Sequence, residues 1–197
     1  MQKDLEYFYS SRKYILAAVA VFGVSFTVGI LISAIYPAVP DKLLDLLKET
    51  FGAFTALDPF EMMLEIFKNN VRISFMALVL GLGFGIIPFA FAAINGAVLG
   101  ILVEFFFRKH GAFFVIAAIL PHGIIELPMI LISVGIGFRL GHAAYLYLTH
   151  LKTIYDLSHE LKQGIIFYIK IIVPLLLLAA IVESYLTPLF IFGLPNR

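Results

Sequence analysis

The chain of 197 residues contains no cysteine and few charges of either sign, with Asp, Glu, Lys and Arg making up 14% of it and a net charge of +1. Absence of cysteine excludes a disulfide framework and thiolate metal sites. The basic residues are scattered, so there is neither a nucleic-acid footprint nor a polybasic tail for a membrane surface. Catalytic signatures are scarce as well. The metalloprotease spacing HExxH is absent, and no serine stands out beside a base suited to an intramembrane serine protease. The GLGFG run at 81–85 lacks the strand-to-helix setting that nucleotide phosphates require. What the chain has in abundance is apolar: 61% of its residues are hydrophobic. That is the composition of an integral membrane protein, with room for one bundle and short connections but not for a separate soluble enzyme domain.

The pattern predicts an all-α, polytopic membrane helix bundle in a single domain spanning 1–197. Five membrane segments are expected, at 14–36, 71–90, 92–107, 112–138 and 165–190. The first is long enough to span and is stopped by Pro37 and Pro40. It follows Lys3, Arg12 and Lys13, but is too long for a signal-peptide core. An external amphipathic segment is expected at 41–68, where Asp58 as N-cap, Pro59 at the first position and Glu61 make a helix start. A second amphipathic segment is expected at 141–163, on the cytoplasmic side.

The run 74–107 would be about 50 Å long as one straight helix, against a hydrocarbon core of about 30 Å. It must break into a pair or re-enter, and Pro88 and Asn95-Gly96 are the expected breaks. Lys and Arg dominate the N-terminal segment and the 139–163 connection, while acids dominate 37–70, so the N-terminus is expected in the cytoplasm.

Charged side chains at a helix centre in the bilayer cost roughly 2.5–3.5 kcal/mol each, so those present call for a partner or a task. His122 and Glu126, in the run PHGIIELP, lie one turn apart on one helix face. They can hydrogen-bond, share a proton or jointly ligate a divalent ion such as zinc. Two ligands do not complete a zinc site, and Glu104, His110, Glu183 or a second subunit are the candidates for a third. Structural roles fall to Asn70, Gly81, Gly85, Asn95, Gly96 and Gly100. The asparagine pair Asn69-Asn70 suggests a helix cap, Asn95 can complete backbone hydrogen bonds at a break, and the GxxxG spacings suit close helix approach or a dimer face.

One order of motifs is familiar. Asn69-Asn70 precede an apolar helix, Gly81 and Gly85 lead to Pro88, and NGxxxG follows at Asn95, Gly96 and Gly100. HG at His110-Gly111 and PHGxxELP at Pro121, His122, Gly123, Glu126 and Pro128 complete it. The series resembles the stage II sporulation protein M family. The resemblance implies a small multi-pass protein of the prokaryotic cell membrane. In spore formers such a protein anchors a complex with peptidoglycan-degrading partners. It supplies no catalytic residues.

Three functions follow as expectations. The first is a non-enzymatic scaffold or anchor in contact with lipid, forming homo-oligomers through GxxxG faces and docking membrane or extracytoplasmic proteins. The second is a transport or channel component with a polar or metal-binding site at His122 and Glu126. The third is an intramembrane metal-dependent hydrolase, which stands last for want of a third ligand.

Overall fold

The computed structural model describes residues 2–51 and 57–186, all but the side chains of 50, 51, 118–122 and 186. The described residues form helices and turns without strands. Helix α1 (Gln2–Ile35) ends just before Pro37, and the amphipathic α2 (Ala38–Phe51) follows. Helix α3 (Pro59–Val79) starts as its sequence requires: Asp58 accepts hydrogen bonds from the Phe60 and Glu61 N–H groups at 2.9 and 3.0 Å, and Pro59 occupies the first turn.

After α3 the chain tightens into a 3₁₀ turn at Leu80–Leu82 and reverses through Phe84 (φ 60°) and Gly85 (φ 76°). Helix α4 (Ile86–Leu148) is interrupted at Gly111, whose φ of 80° and ψ of 173° belong to a region essentially reserved for glycine. Nothing lies within 4 Å of the place a Cβ would occupy at Gly111, so backbone conformation rather than space selects glycine there. Helices α5 (Ile154–Phe167) and α6 (Val173–Ile181) are joined by a π turn at Tyr168–Ile172, and a second π turn follows at Val182–Leu186.

Close contacts fix the directions. Gly96 and Gly100 of the first α4 arm meet the Phe22 and Phe26 carbonyls, and Glu104 reaches Ser33, so this arm runs parallel to α1. In the second arm Gly135 meets Ile15 and Arg139 meets Ser10 and Ser11, so it runs antiparallel to α1. Gly111 is therefore the bend of a helical hairpin. Helix α3 lies along the second arm, with Gly81 against Gly137, and the α5–α6 rod runs back along α3, where Tyr168 reaches Ser74 and Val71.

Small residues make the seams. Ala18, Ala77, Ala92 and Val134 form one buried cluster, and Tyr7, Leu78, Ile136, Leu140, Tyr168, Ile172 and Leu176 belong to the larger one. A Cβ added at Gly29, Gly81, Gly96, Gly100, Gly137 or Gly141 would overlap backbone atoms of another segment of this same chain. The GxxxG spacings expected to drive oligomerisation are thus occupied within the monomer, because polypeptide backbones already lie where a partner's would.

Among the described residues four helices are long and apolar enough to cross a membrane: Gln2–Ile35, Ile86–Ala117, Gly123–Leu148 and Ile154–Tyr185. Their outer faces show Leu16, Val24, Ile86, Phe113 and Ile124, each more than 60% exposed, as a lipid-facing surface requires.

The broken pair expected at 74–107 is present, but its break falls at 83–85. Pro88 sits in the first turn of α4, where its missing N–H is no loss, and Asn95-Gly96 lie within continuous helix. Segment 71–90 is accordingly the end of α3, the reversal and the start of α4. The segment expected at 141–163 is divided between the end of α4 and α5 by a turn at 149–153. Of the segment expected at 41–68, the first part is α2 and the last, from Pro59, is continuous with the apolar half of α3.

Candidate intramembrane site

Helix α3 places Met62, Glu65, Ile66, Asn69 and Asn70 at spacings that share one face. Along that face Asn70 is buried, Met62, Glu65 and Ile66 are half-buried and Asn69 is exposed. Together with Glu126 of the second α4 arm and Glu183 of the final π turn this face lines a partly open cavity of about 270 Å³. Three carboxylates and two amides thus converge between helices whose outer surfaces are apolar.

Asn70 is only 7% exposed, and it borders the cavity. Its carbonyl is in use, accepting from Ser74 Oγ at 2.6 Å. Glu65 also holds Lys68 at 2.7 Å on the more exposed side of the helix. Two π turns flank this part of the rod. In one, Tyr168 Oη donates to the Val71 carbonyl at 2.8 Å, locking the rod to α3 next to Asn70; in the other, Ser184 donates to Ala180 O at 2.8 Å beside Glu183. Such one-residue bulges shift the facing of side chains and recur at functional sites.

Glu126 is also in the wall of a second cavity of about 210 Å³, lined by Asn95 and otherwise mostly by apolar groups including Phe22, Phe91 and Leu131. Asn95 donates Nδ2–H to the Phe91 carbonyl at 2.8 Å, completing its own helix rather than marking a break. Glu126 is therefore the residue common to both spaces.

The residues singled out from sequence separate into two groups. Asn70, Asn95, Glu126 and Glu183 come together around the cavities. Glu104 does not: it forms an ion pair with Arg108 Nε at 2.5 Å and accepts a hydrogen bond from Ser33 of α1. His110 packs its ring against Phe106 and Phe114, with centroids 6.1 and 4.7 Å away, and is likewise turned from the cavities. The side chain of His122 lies outside the described residues. Among the described residues no group of three or more His, Asp or Glu is placed to hold a metal ion. Asn69 is not a cap either, since α3 begins ten residues earlier, at Pro59.

Glu65 and Asn69 were missed as lining residues. Their signal was the period of 62, 65, 66, 69 and 70, which alternates apolar and polar groups on a single stripe.

The stage II sporulation protein M family profile matches residues 18–188, nearly the whole bundle. The chain belongs to that family. The matched range of this stage II sporulation protein M family member includes α3, both arms of α4 and Glu183, so every cavity-lining residue lies inside it. Two similar proteins, both described as uncharacterized, come from Methanocaldococcus jannaschii. One is 33% identical over 128 residues, covering 62% of this chain and 69% of the relative. The other is 29% identical over 126 residues, covering 63% of this chain, and the match spans about half (51%) of that relative's own length. No solved structure matches the chain.

Proposed function

We propose that this stage II sporulation protein M family member is a multi-pass membrane protein that binds and passes a small cation or proton through its interior, with Glu126 and Glu183 as the binding carboxylates. The observation that carries the reading is the cavity lined by Glu65, Asn69, Asn70, Glu126 and Glu183. Ionisable groups inside a membrane bundle mark ion paths and proton relays, and broken helices at membrane depth are tolerated where they line such a space. An excess of carboxylates selects a positive occupant, and the amides of Asn69 and Asn70 can replace part of its hydration shell. His122 belongs to this reading as a proton partner or metal ligand for Glu126 across one helical turn.

Reconstituted liposomes with a fluorescent pH or cation reporter test it. Wild-type protein gives flux, Glu126→Gln and Glu183→Gln each abolish it, and Glu104→Gln, which is engaged with Arg108 elsewhere, leaves it intact. Flux indifferent to both cavity substitutions would refute the reading. In this proposal the N-terminus is cytoplasmic, following the Lys and Arg bias.

The scaffold reading is favoured by α2. This helix exposes Asp41, Lys42, Asp45, Lys48 and Glu49 and touches the rest of the bundle sparsely, through contacts such as the 4.0 Å pair between Asp41 and Lys109. It would dock an extracytoplasmic protein, and replacing its exposed charges would then break a complex while leaving liposome flux unchanged.

A further inference from the structure

At the opposite end of the bundle the geometry points to a binding pocket for the phosphodiester of an anionic phospholipid, built from Lys13, Arg139, His142 and Lys152. These side chains border a space of about 160 Å³ between the start of α1, the end of α4 and the turn leading into α5. One acid, Glu160, lines it too, and it is already committed to Arg139 Nε at 2.8 Å. Asp156 lies near enough to Lys152 to feel its charge but is bonded to Thr153, and the two lysines outnumber the acid that lines the space.

The pocket is built rather than incidental. Arg139 is held on three sides: Nη1 donates to Ser10 Oγ at 2.5 Å and Ser11 Oγ at 2.8 Å, Nε holds Glu160, and the guanidinium lies 4.5 Å from the Tyr7 ring centroid. Among the described residues Nη2 has no partner, so one edge of a fixed guanidinium remains free. His142 is held at the rim by Tyr14 Oη, 2.7 Å from Nδ1. The Leu151 and Lys152 N–H groups both donate to the Leu146 carbonyl, at 2.9 and 3.1 Å, closing the turn that carries Lys152.

Depth selects a lipid over a soluble anion. Tyr14 begins the apolar run of α1, and Leu16, two residues on, is 65% exposed. Tyr9, Tyr145 and Tyr155 are each more than half exposed at this same end, as an interfacial tyrosine belt would be. A phosphate seated beside Lys13 and Lys152 would let its acyl chains follow the apolar face of α1. Basic pockets between membrane helices at headgroup level suit such ligands.

The test titrates detergent-purified protein with phosphatidylglycerol, phosphatidylcholine and inorganic phosphate, with binding followed by native mass spectrometry and thermal shift. Phosphatidylglycerol binds and raises the melting temperature, while the zwitterionic lipid and free phosphate bind at least about tenfold more weakly. Each of Lys13→Ala and Lys152→Ala weakens phosphatidylglycerol roughly fivefold and the pair about 30-fold, at the surface value for one basic residue. Both lysines are exposed, and the single variants decide the matter if the double one does not fold. Lys162→Ala, on α5 away from the pocket, leaves binding unchanged. Equal binding of the two lipids, or no effect of either lysine, overturns the proposal. Inorganic phosphate binding as tightly as phosphatidylglycerol overturns the lipid as its source.

Discussion

Two glycines six residues apart in α1 give opposite answers to the same substitution. At Gly23 an added methyl group meets nothing within 4 Å, whereas at Gly29 it would overlap the Ala97 carbonyl of α4. Replacing glycine by alanine within a helix gains roughly 0.5–1 kcal/mol from the lower entropy of the unfolded chain. Gly23→Ala should keep that gain. Gly29→Ala begins with it, but the atom in the way is backbone, so two whole helices must part. Overpacking costs about 1–3 kcal/mol, and separation also loosens the contacts at Gly96 and Gly100 and the Ser33–Glu104 hydrogen bond. The net expectation is a loss of about 1–2 kcal/mol. At roughly 2–4 °C per kcal/mol for a chain of this size, the two variants should melt on opposite sides of wild type and several degrees apart. Thermal unfolding in one detergent, followed by circular dichroism, reads the difference. Gly29→Ala melting at or above Gly23→Ala would show that α1 and α4 do not approach as described.

Glu160→Gln should destabilise the protein by about 2–4 kcal/mol by leaving Arg139 without its carboxylate in a site where both side chains are less than one-fifth exposed. Arg139→Met with Glu160→Met should be milder than Arg139→Met alone, and a double-mutant cycle on unfolding midpoints checks the coupling. Tyr168→Phe removes the donor to the Val71 carbonyl and the contact with Ser74, and should cost about 1–2 kcal/mol. It should also reduce flux in the liposome assay, because that bond ties the rod to α3 beside Asn70; wild-type flux and stability together would count against this link.

The outline of the fold was legible wherever a residue acts locally. Pro37 ends α1, Asp58 and Pro59 open α3, and His110-Gly111 divides the long apolar run, each through its own backbone preferences. The reversal after α3 was not legible from proline. Pro88 is harmless in a first turn, while the actual reversal puts a non-glycine residue, Phe84, at positive φ within a glycine-rich run. Asn95 and Gly96 imitate a turn but serve a straight helix, one by bonding back to Phe91 and the other by admitting α1. In the candidate site, Glu126 and Glu183 stood out because charge in apolar sequence is conspicuous. Asn69, Glu65 and the Arg139 cluster did not, since what gives them a role is a neighbour more than fifty residues away in the chain.

The half-polar character of α3 bears on how the protein is made. Its apolar stretch, 71–82, is about 18 Å long as a helix, well short of the hydrocarbon core, and Glu61, Glu65, Lys68 and Arg72 precede or enter it. Such a segment gains nothing by entering lipid alone. It becomes tolerable at that depth when the second arm of α4 and the final rod cover its polar stripe, and both are synthesised later. In the multi-pass arrangement proposed above, α3 is expected to take its place only after the hairpin bent at Gly111 has inserted. On that expectation the helices settle in an order different from their order in the chain, and a ribosome halted before the final rod would leave α3 without part of its cover.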